Sequence, residues 1–237
     1  MKKSLLAIAL LLVSVGNLCA HALWIQTSTV GKAGQKQSVK IVYSEPDDKP
    51  EKLADWYSDV KEFELWLTTP DKQKVKLTTI AGEDHFTSEF TPEKDGVYTL
   101  SISKAAKDLG GETIYEFNAS AVVKVGKSLA GNDAAFNGNI INVFADASKT
   151  FKTNQPFNFT TILKGKPTEN LHVGVASPSG WNKNISSNSS GVAEFTPIWP
   201  GTYKLEVSTS EDATGDHFGK PYKSIWRCAT LLVDVAK

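Results

Sequence analysis

An internal repeat is the feature that most restricts the fold of this 237-residue chain. Residues 89–100 and 194–205 share the frame E-F-T-P-x-x-x-G-x-Y-x-L, at an offset of about one hundred residues, the size of a β-sandwich domain. In each copy we expect the Phe to face a core, the Pro to end a strand and the Gly to allow a corner. The Tyr and Leu should then share one face of the next strand. The repeat therefore predicts two sandwich units.

Alternation of apolar and polar residues indicates strands elsewhere in the chain. The clearest alternating runs are residues 38–43, 63–67, 97–102 and 203–207. Gly, Pro, Asn and Asp separate these runs, as expected for turns between strands. Residues 51–58 are the one modest helical candidate, and an ordered loop suits them equally. The pattern therefore predicts an all-β fold.

The domain prediction combines the repeat with the strand pattern. We expect two tandem immunoglobulin-like β-sandwich domains, over residues 21–126 and 132–237. The boundary falls in residues 126–132, where small and turn-prone residues follow an apolar strand. A single larger β-structure is the alternative.

The first twenty residues have the layout of a secretory signal peptide. Lys2 and Lys3 precede an apolar run that is too short for a membrane span, which needs about 20 residues. We therefore expect residues 1–20 to be removed on export to the periplasm, leaving a protein that does not span the membrane. The formal net charge is zero for the whole chain and −2 without these two lysines. Neither value favours a nucleic-acid partner, which would require a basic stripe.

The position of signal-peptide cleavage decides which residue begins the mature protein. Cleavage after Ala20 makes His21 the N-terminus, whereas cleavage after Ala22 fits the small-residue rule better and discards His21. Lipidation of Cys19 is a third alternative. After cleavage Cys228 remains as the one Cys of the chain, and its apolar strand predicts a buried structural thiol.

The four His residues are the best candidates for a functional site. As a mature N-terminus, His21 can chelate one metal ion through its α-amine and imidazole, and these nitrogens suit Ni or Cu. His85 is the expected second His, with Asp84 as a ligand or as the partner that orients the ring. Glu45 is a further oxygen ligand, and His217 could join from the second domain. No phosphate-binding loop, nucleophile elbow or H-E-x-x-H motif occurs, so no enzyme is predicted.

Three stretches resemble a known family. The start H-A-L-W-I-Q-T at residues 21–27 resembles the N-terminal His-x-x-Trp strand of the NikM-like periplasmic family, a nickel-uptake-associated exported domain of unknown function. The D-H-F triplet with the following residues 84–98, and the closing W-R-C-A-T-L-L-V-D-V at residues 226–235, are similar as well. The resemblance implies a periplasmic β-rich protein that binds nickel or a similar metal for uptake. It also favours cleavage before His21.

The predicted function is that of a non-enzymatic periplasmic transition-metal-binding protein. It would be an accessory or substrate-binding component of nickel, copper or cobalt uptake, with a membrane transporter as its partner. The alternative is an immunoglobulin-like carbohydrate- or protein-binding module without metal, because Trp24, Trp56, Trp181 and Trp199 could supply stacking surfaces. A copper oxygenase with an N-terminal histidine brace is a third reading, and it uses the same His21.

Overall fold

The fold is known from a computed structural model that describes residues 21–237, so the predicted signal peptide lies outside the described residues. Strands dominate this part of the chain, and its helical elements are two short 3-10 helices, Val60–Glu62 and Ala134–Phe136. The all-β prediction is confirmed. No helix within residues 21–237 is both long enough and apolar enough to cross a membrane.

The strands are numbered in chain order. Those of the first half are β1 (Ala22–Gln26), β2 (Val30–Gly31), β3 (Gln37–Ser44), β4 (Leu65–Thr68), β5 (Lys74–Leu77), β6 (Ile80–Ala81), β7 (Phe86–Phe90), β8 (Gly96–Ala105) and β9 (Thr113–Val125). Those of the second half are β10 (Ile141–Phe144), β11 (Phe151–Lys152), β12 (Phe157–Leu163), β13 (Lys166–Pro167), β14 (His172–Ala176), β15 (Asn182–Ser186), β16 (Val192–Phe195), β17 (Gly201–His217) and β18 (Lys220–Ala236).

These strands form three sheets in a sandwich-like arrangement. One four-stranded sheet has the order β1-β3-β7-β6, and another joins β10, β12, β13 and β16. The third sheet has ten strands in the order β15-β14-β17-β18-β9-β8-β4-β5, with β2 and β11 paired to β9 and β18. Because β18 pairs in parallel with β9, this long sheet runs through both halves of the chain.

Two hydrophobic cores lie on opposite faces of the long sheet. Alternate side chains of a strand point to opposite faces, and in β18 Cys228 belongs to the first core whereas Ala229 and Leu231 belong to the second. Each four-stranded sheet covers one of these faces. The two cores thus share β18, and a division into independent domains at residues 126–132 stays a prediction.

Both copies of the internal repeat form the same tyrosine corner. The Tyr98 hydroxyl donates to the carbonyl oxygen of Lys94 at 3.0 Å, and the Tyr203 hydroxyl donates to the carbonyl oxygen of Trp199 at 3.1 Å. Gly96 allows the first corner with a φ of +148°, and a Cβ there would lie 2.4 Å from a proline side chain. The shared frame therefore encodes a shared local structure.

Candidate functional site

Strand β1 places His21 beside a carboxylate. The antiparallel register of β1 and β3 pairs Ala22 with Ser44, so the preceding His21 lies next to Glu45. Trp24 anchors β1, because its side chain is only 1% exposed and its Nε1–H donates to the carbonyl oxygen of Ser44 at 3.1 Å. The position of His21 is therefore fixed by the sheet and by a buried aromatic side chain.

The His21 imidazole lies between two carboxylates. Its Nδ1 is 3.5 Å from Oε1 of Glu45, and its Nε2 is 2.8 Å from Oε1 of Glu51. The ring also stacks on Tyr43, with centroids 5.4 Å apart. Nε2 is thus within hydrogen-bond distance of Glu51, and Nδ1 faces Glu45 at a longer distance.

The loop between β3 and β4 holds Glu51 in place. The Glu51 N–H donates to the carbonyl oxygen of Tyr43 at 3.0 Å, and the Nε1–H of Trp56 donates to the carbonyl oxygen of Glu51 at 3.1 Å. Trp56 is buried in the first core. Residues 51–58 form turns and bends rather than the helix that we considered for them. This loop is therefore ordered by its own side chains.

A cavity of about 550 Å³ opens beside the His21 ring. Its aromatic wall consists of Tyr43, Tyr57, Tyr115, Phe117 and Trp226. The parallel pairing of β18 with β9 sets Trp226 opposite Tyr115 and so assembles this wall from distant parts of the chain. A second cavity of about 410 Å³ lies beside β2 and the end of β18, and no His is among the described residues that line it.

A carboxyl group with a strongly shifted pKa lies near Glu45. Glu206 occupies the face of β17 opposite the second-core residues Leu205 and Val207, so its side chain points toward β1 and the β3–β4 loop. Lys204, on the same face, donates through Nζ to a carbonyl oxygen of that loop. Burial, followed by the negative charge of Glu45, raises the pKa of Glu206 from 4.5 to about 7.

Replacing Glu206 with Gln should stabilise the metal-free protein at about pH 8, by up to about 3 kcal/mol, and leave it nearly unchanged at about pH 4. A carboxyl whose pKa is higher when folded binds more protons in the folded state. The unfolding free energy of the wild type should therefore fall as the pH rises from 4.5 to about 7. Urea denaturation across this pH range, with a chelator present, gives the free energy of unfolding of both proteins. If the unfolding free energies of the wild type and of Glu206→Gln change with pH in the same way, the expectation is wrong.

The other predicted ligands lie apart from His21. His85 precedes β7, and its Nδ1 is 2.5 Å from Oδ1 of Asp84, whose pKa this hydrogen bond lowers. Because β3 lies between β1 and β7, the backbones of the two His residues are two strand spacings apart across the sheet, about 10 Å, and they are also offset along the strands. At the end of β17, the Nε2–H of His217 donates to the carbonyl oxygen of Ala106 at 2.8 Å. Among the predicted ligands, the structure therefore brings His21 to Glu45 and, separately, His85 to Asp84.

The predictions for Cys228 and for four Trp side chains can also be compared with the structure. Cys228 is fully buried, as expected for a structural thiol, and this burial raises its pKa. Trp24 and Trp56 are core residues, whereas Trp181 and Trp199 are each 39% exposed and contact each other in the second half of the chain. The aromatic residues around His21 and the carboxylate of Glu51 were not predicted from the sequence.

Within residues 21–237, no three His, Cys, Asp or Glu side chains are close enough to hold a metal ion by themselves. A group made of side chains alone does not include a backbone nitrogen. Cleavage before His21 would turn its backbone nitrogen into a free α-amine, which is a further ligand for a metal ion. That amine would join Nδ1 and a carboxylate in a mixed nitrogen and oxygen donor set of the kind that suits Ni, Cu or Zn.

Fold and site together define the class of protein: an all-β, sandwich-like chain with a histidine held between two carboxylates beside an aromatic cavity. The chain belongs to the family described as Domain of unknown function (DUF4198), whose model matches residues 18–211. No curated protein matches the chain.

Several solved structures show a remote likeness. A DUF4785 family protein from Legionella pneumophila is 14% identical with a TM-score of 0.32, over 77% of this chain and 50% of that one. The BSP domain of a biofilm associated protein is 10% identical with a TM-score of 0.27, over 90% and 30%. Salmonella alpha-2-macroglobulin reacted with methylamine is 10% identical with a TM-score of 0.26, over 91% and 15%. The chain thus spans half or less of the length of each.

Proposed function

We propose that this chain is an exported, non-catalytic protein that binds a transition metal ion through a mature N-terminal His21. The observation that carries the proposal is the Nδ1 atom of His21 facing the Glu45 carboxylate at 3.5 Å. Two ligand atoms that each lie about 2.1 Å from a tetrahedral ion are about 3.4 Å apart. The separation therefore suits two ligands of one ion, and it is too long for a direct hydrogen bond between them.

The donor atoms fit a borderline metal such as nickel or copper. The α-amine and Nδ1 of His21 would close a six-membered chelate ring, and the Glu45 carboxylate would add an oxygen ligand. The positive charge of the metal would offset the negative charge of the carboxylates beside the ring. His85 and Asp84 would remain a separate pair, because the sheet order sets them apart from β1.

Glu51 would orient the metal-binding ring. Metal-bound imidazoles commonly donate the second ring N–H to a carboxylate, which fixes the tautomer and raises the basicity of the ligand. The 2.8 Å separation between Nε2 of His21 and Oε1 of Glu51 suits this role. The backbone hydrogen bonds of Glu51 hold the carboxylate in place before a metal arrives.

Export would create the site, because the α-amine exists only after the predicted signal peptide has been removed. This links metal binding to the periplasm, where the protein would hand its metal to, or receive it from, a membrane transporter. The resemblance to the NikM-like family favours nickel as that metal. The proposal thus gives a physical reason for a His at position 21 directly after the predicted cleavage site.

Changing either carboxylate tests the proposed ligand set. We expect Glu45→Gln and Glu51→Gln, in the chain that begins at His21, each to weaken Ni²⁺ or Cu²⁺ binding about ten- to 100-fold. Glu83→Gln is the matched control, because Glu83 is exposed and pairs with Lys52 at 3.0 Å. Isothermal titration calorimetry gives the affinities. Binding by both variants within about twofold of the wild type would refute the ligand set.

A further inference from the structure

The cavity beside His21 has a continuous aromatic wall. The ring centroids of Tyr57 and Tyr115 lie 5.8 Å apart, those of Tyr115 and Trp226 5.6 Å, and those of Phe117 and Trp226 6.1 Å. The Tyr43 ring is 5.6 Å from that of Phe117. Most of these pairs meet edge to face, which is the arrangement that aromatic rings prefer. The wall therefore has a defined shape: Tyr43 and Phe117 are its buried rings, and Tyr57, Tyr115 and Trp226 are its partly exposed ones.

The charges that line this cavity are negative. Glu51 and Asp55 contribute carboxylates, and neither Lys nor Arg occurs among the described residues that line it. Asp55 is exposed and takes part in no ion pair with another described residue. An anion would thus meet repulsion here, whereas a cation would meet two carboxylates and several ring faces.

We propose that this cavity binds a small organic cation, with an ammonium group held between the aromatic wall and the carboxylates of Glu51 and Asp55. Rings of Trp, Tyr and Phe attract quaternary and primary ammonium groups through their negative faces. A volume of about 550 Å³ lies within the range of small-molecule sites and is far larger than a metal ion requires.

The organic-cation site adjoins the proposed metal site and shares the His21 ring and Glu51 with it, but it requires no metal ion. The cavity is lined by Glu51, on the Nε2 side of the His21 ring, and Glu45 on the Nδ1 side is not among its lining residues. The cation should therefore bind to metal-free protein. A titration can therefore show that the protein binds the organic cation without binding the metal ion, or the reverse.

Choline and its neutral carbon isostere, 3,3-dimethylbutan-1-ol, provide the test. Titration calorimetry on metal-free protein should show choline, or butylammonium as a primary-ammonium probe, binding about tenfold more tightly than the isostere. Trp226→Leu should weaken choline binding about tenfold, and Trp226→Phe should retain most of it because a ring remains. The half-exposed Trp181 packs on Phe195 of the second core and does not line this cavity, so Trp181→Leu should leave the affinity unchanged.

Asp55→Asn is a second test, for the case in which Trp226→Leu does not fold. Asp55 is an exposed loop residue, so its replacement should not disturb the core. We expect it to weaken choline binding several-fold and to leave the binding of the neutral isostere unchanged. The proposal is overturned if neither cation binds more tightly than the isostere, or if Asp55→Asn and Trp226→Leu both bind choline like the wild type. Neither result would bear on metal binding at His21.

Discussion

Replacing His21 with Ala, in a chain that begins at residue 21, should weaken Ni²⁺ or Cu²⁺ binding at least about 100-fold, or about 2.7 kcal/mol. The change removes Nδ1 and opens the chelate ring, so the α-amine and Glu45 would have to hold the ion alone. The partner carboxylate of Glu51 would also lose the ring that it orients, which stands 2.8 Å away. Calorimetric titration of the two proteins measures the difference.

The matched control for this change is His172→Ala. His172 lies on β14 and is exposed, as its place opposite the apolar residues of its strand predicts. We expect this variant to bind metal as the wild type does. Wild-type affinity in the His21→Ala protein would remove His21 from the site, whereas an equal loss in both variants would indicate general surface binding by histidines.

The second large effect concerns stability: Arg227→Ala should lower the free energy of unfolding by about 3 kcal/mol. The Arg227 side chain is only 7% exposed, and it joins two strands that flank β18. Its Nε–H donates to Glu116 at 3.0 Å, and its Nη1 donates to Glu211 at 2.7 Å. Without the guanidinium, the largely buried Glu116 carboxylate would have no cation to compensate it.

Glu211→Gln provides the comparison for this prediction. Glu211 is half-exposed and also pairs with Lys164, and exposed ion pairs contribute little to stability. We therefore expect a loss below about 1 kcal/mol in urea denaturation at neutral pH. An Arg227→Ala loss no larger than that of Glu211→Gln would show that this charge network does not stabilise the fold.

Local sequence patterns were sufficient to predict the all-β class, the strands β3, β4, β8 and β17, and the repeated corner. Alternation at period two indicates which face of a strand is buried. The two repeat frames, which contain Tyr98 and Tyr203, place the same residue types around each corner. The parallel pairing of β9 with β18 joins residues that lie more than one hundred positions apart in the sequence. No local pattern reports such a pairing, which is why the shared sheet was not foreseen.

The site was predicted only where strand register determines it. His21 and Glu45 meet because β1 and β3 are adjacent antiparallel strands. Glu51 lies in a loop without periodicity, so its approach to His21 could not be read from spacing. His85 was expected to act with His21 because both lie in the first predicted domain, but strand order separates the two. His217, expected to join from the second domain, bonds to a backbone carbonyl instead.

The most direct test of the account compares metal binding by two chains that differ only in whether residue 20 is present. In the chain that begins at His21 the α-amine is free, whereas an added Ala20 converts it into an amide nitrogen, a far poorer metal ligand at neutral pH. We predict that calorimetry will show one-to-one binding of Ni²⁺ or Cu²⁺ by the first chain, and at least about tenfold weaker binding by the extended chain. Equal affinities of the two chains, or no binding by either, would contradict a metal site built on the mature N-terminus.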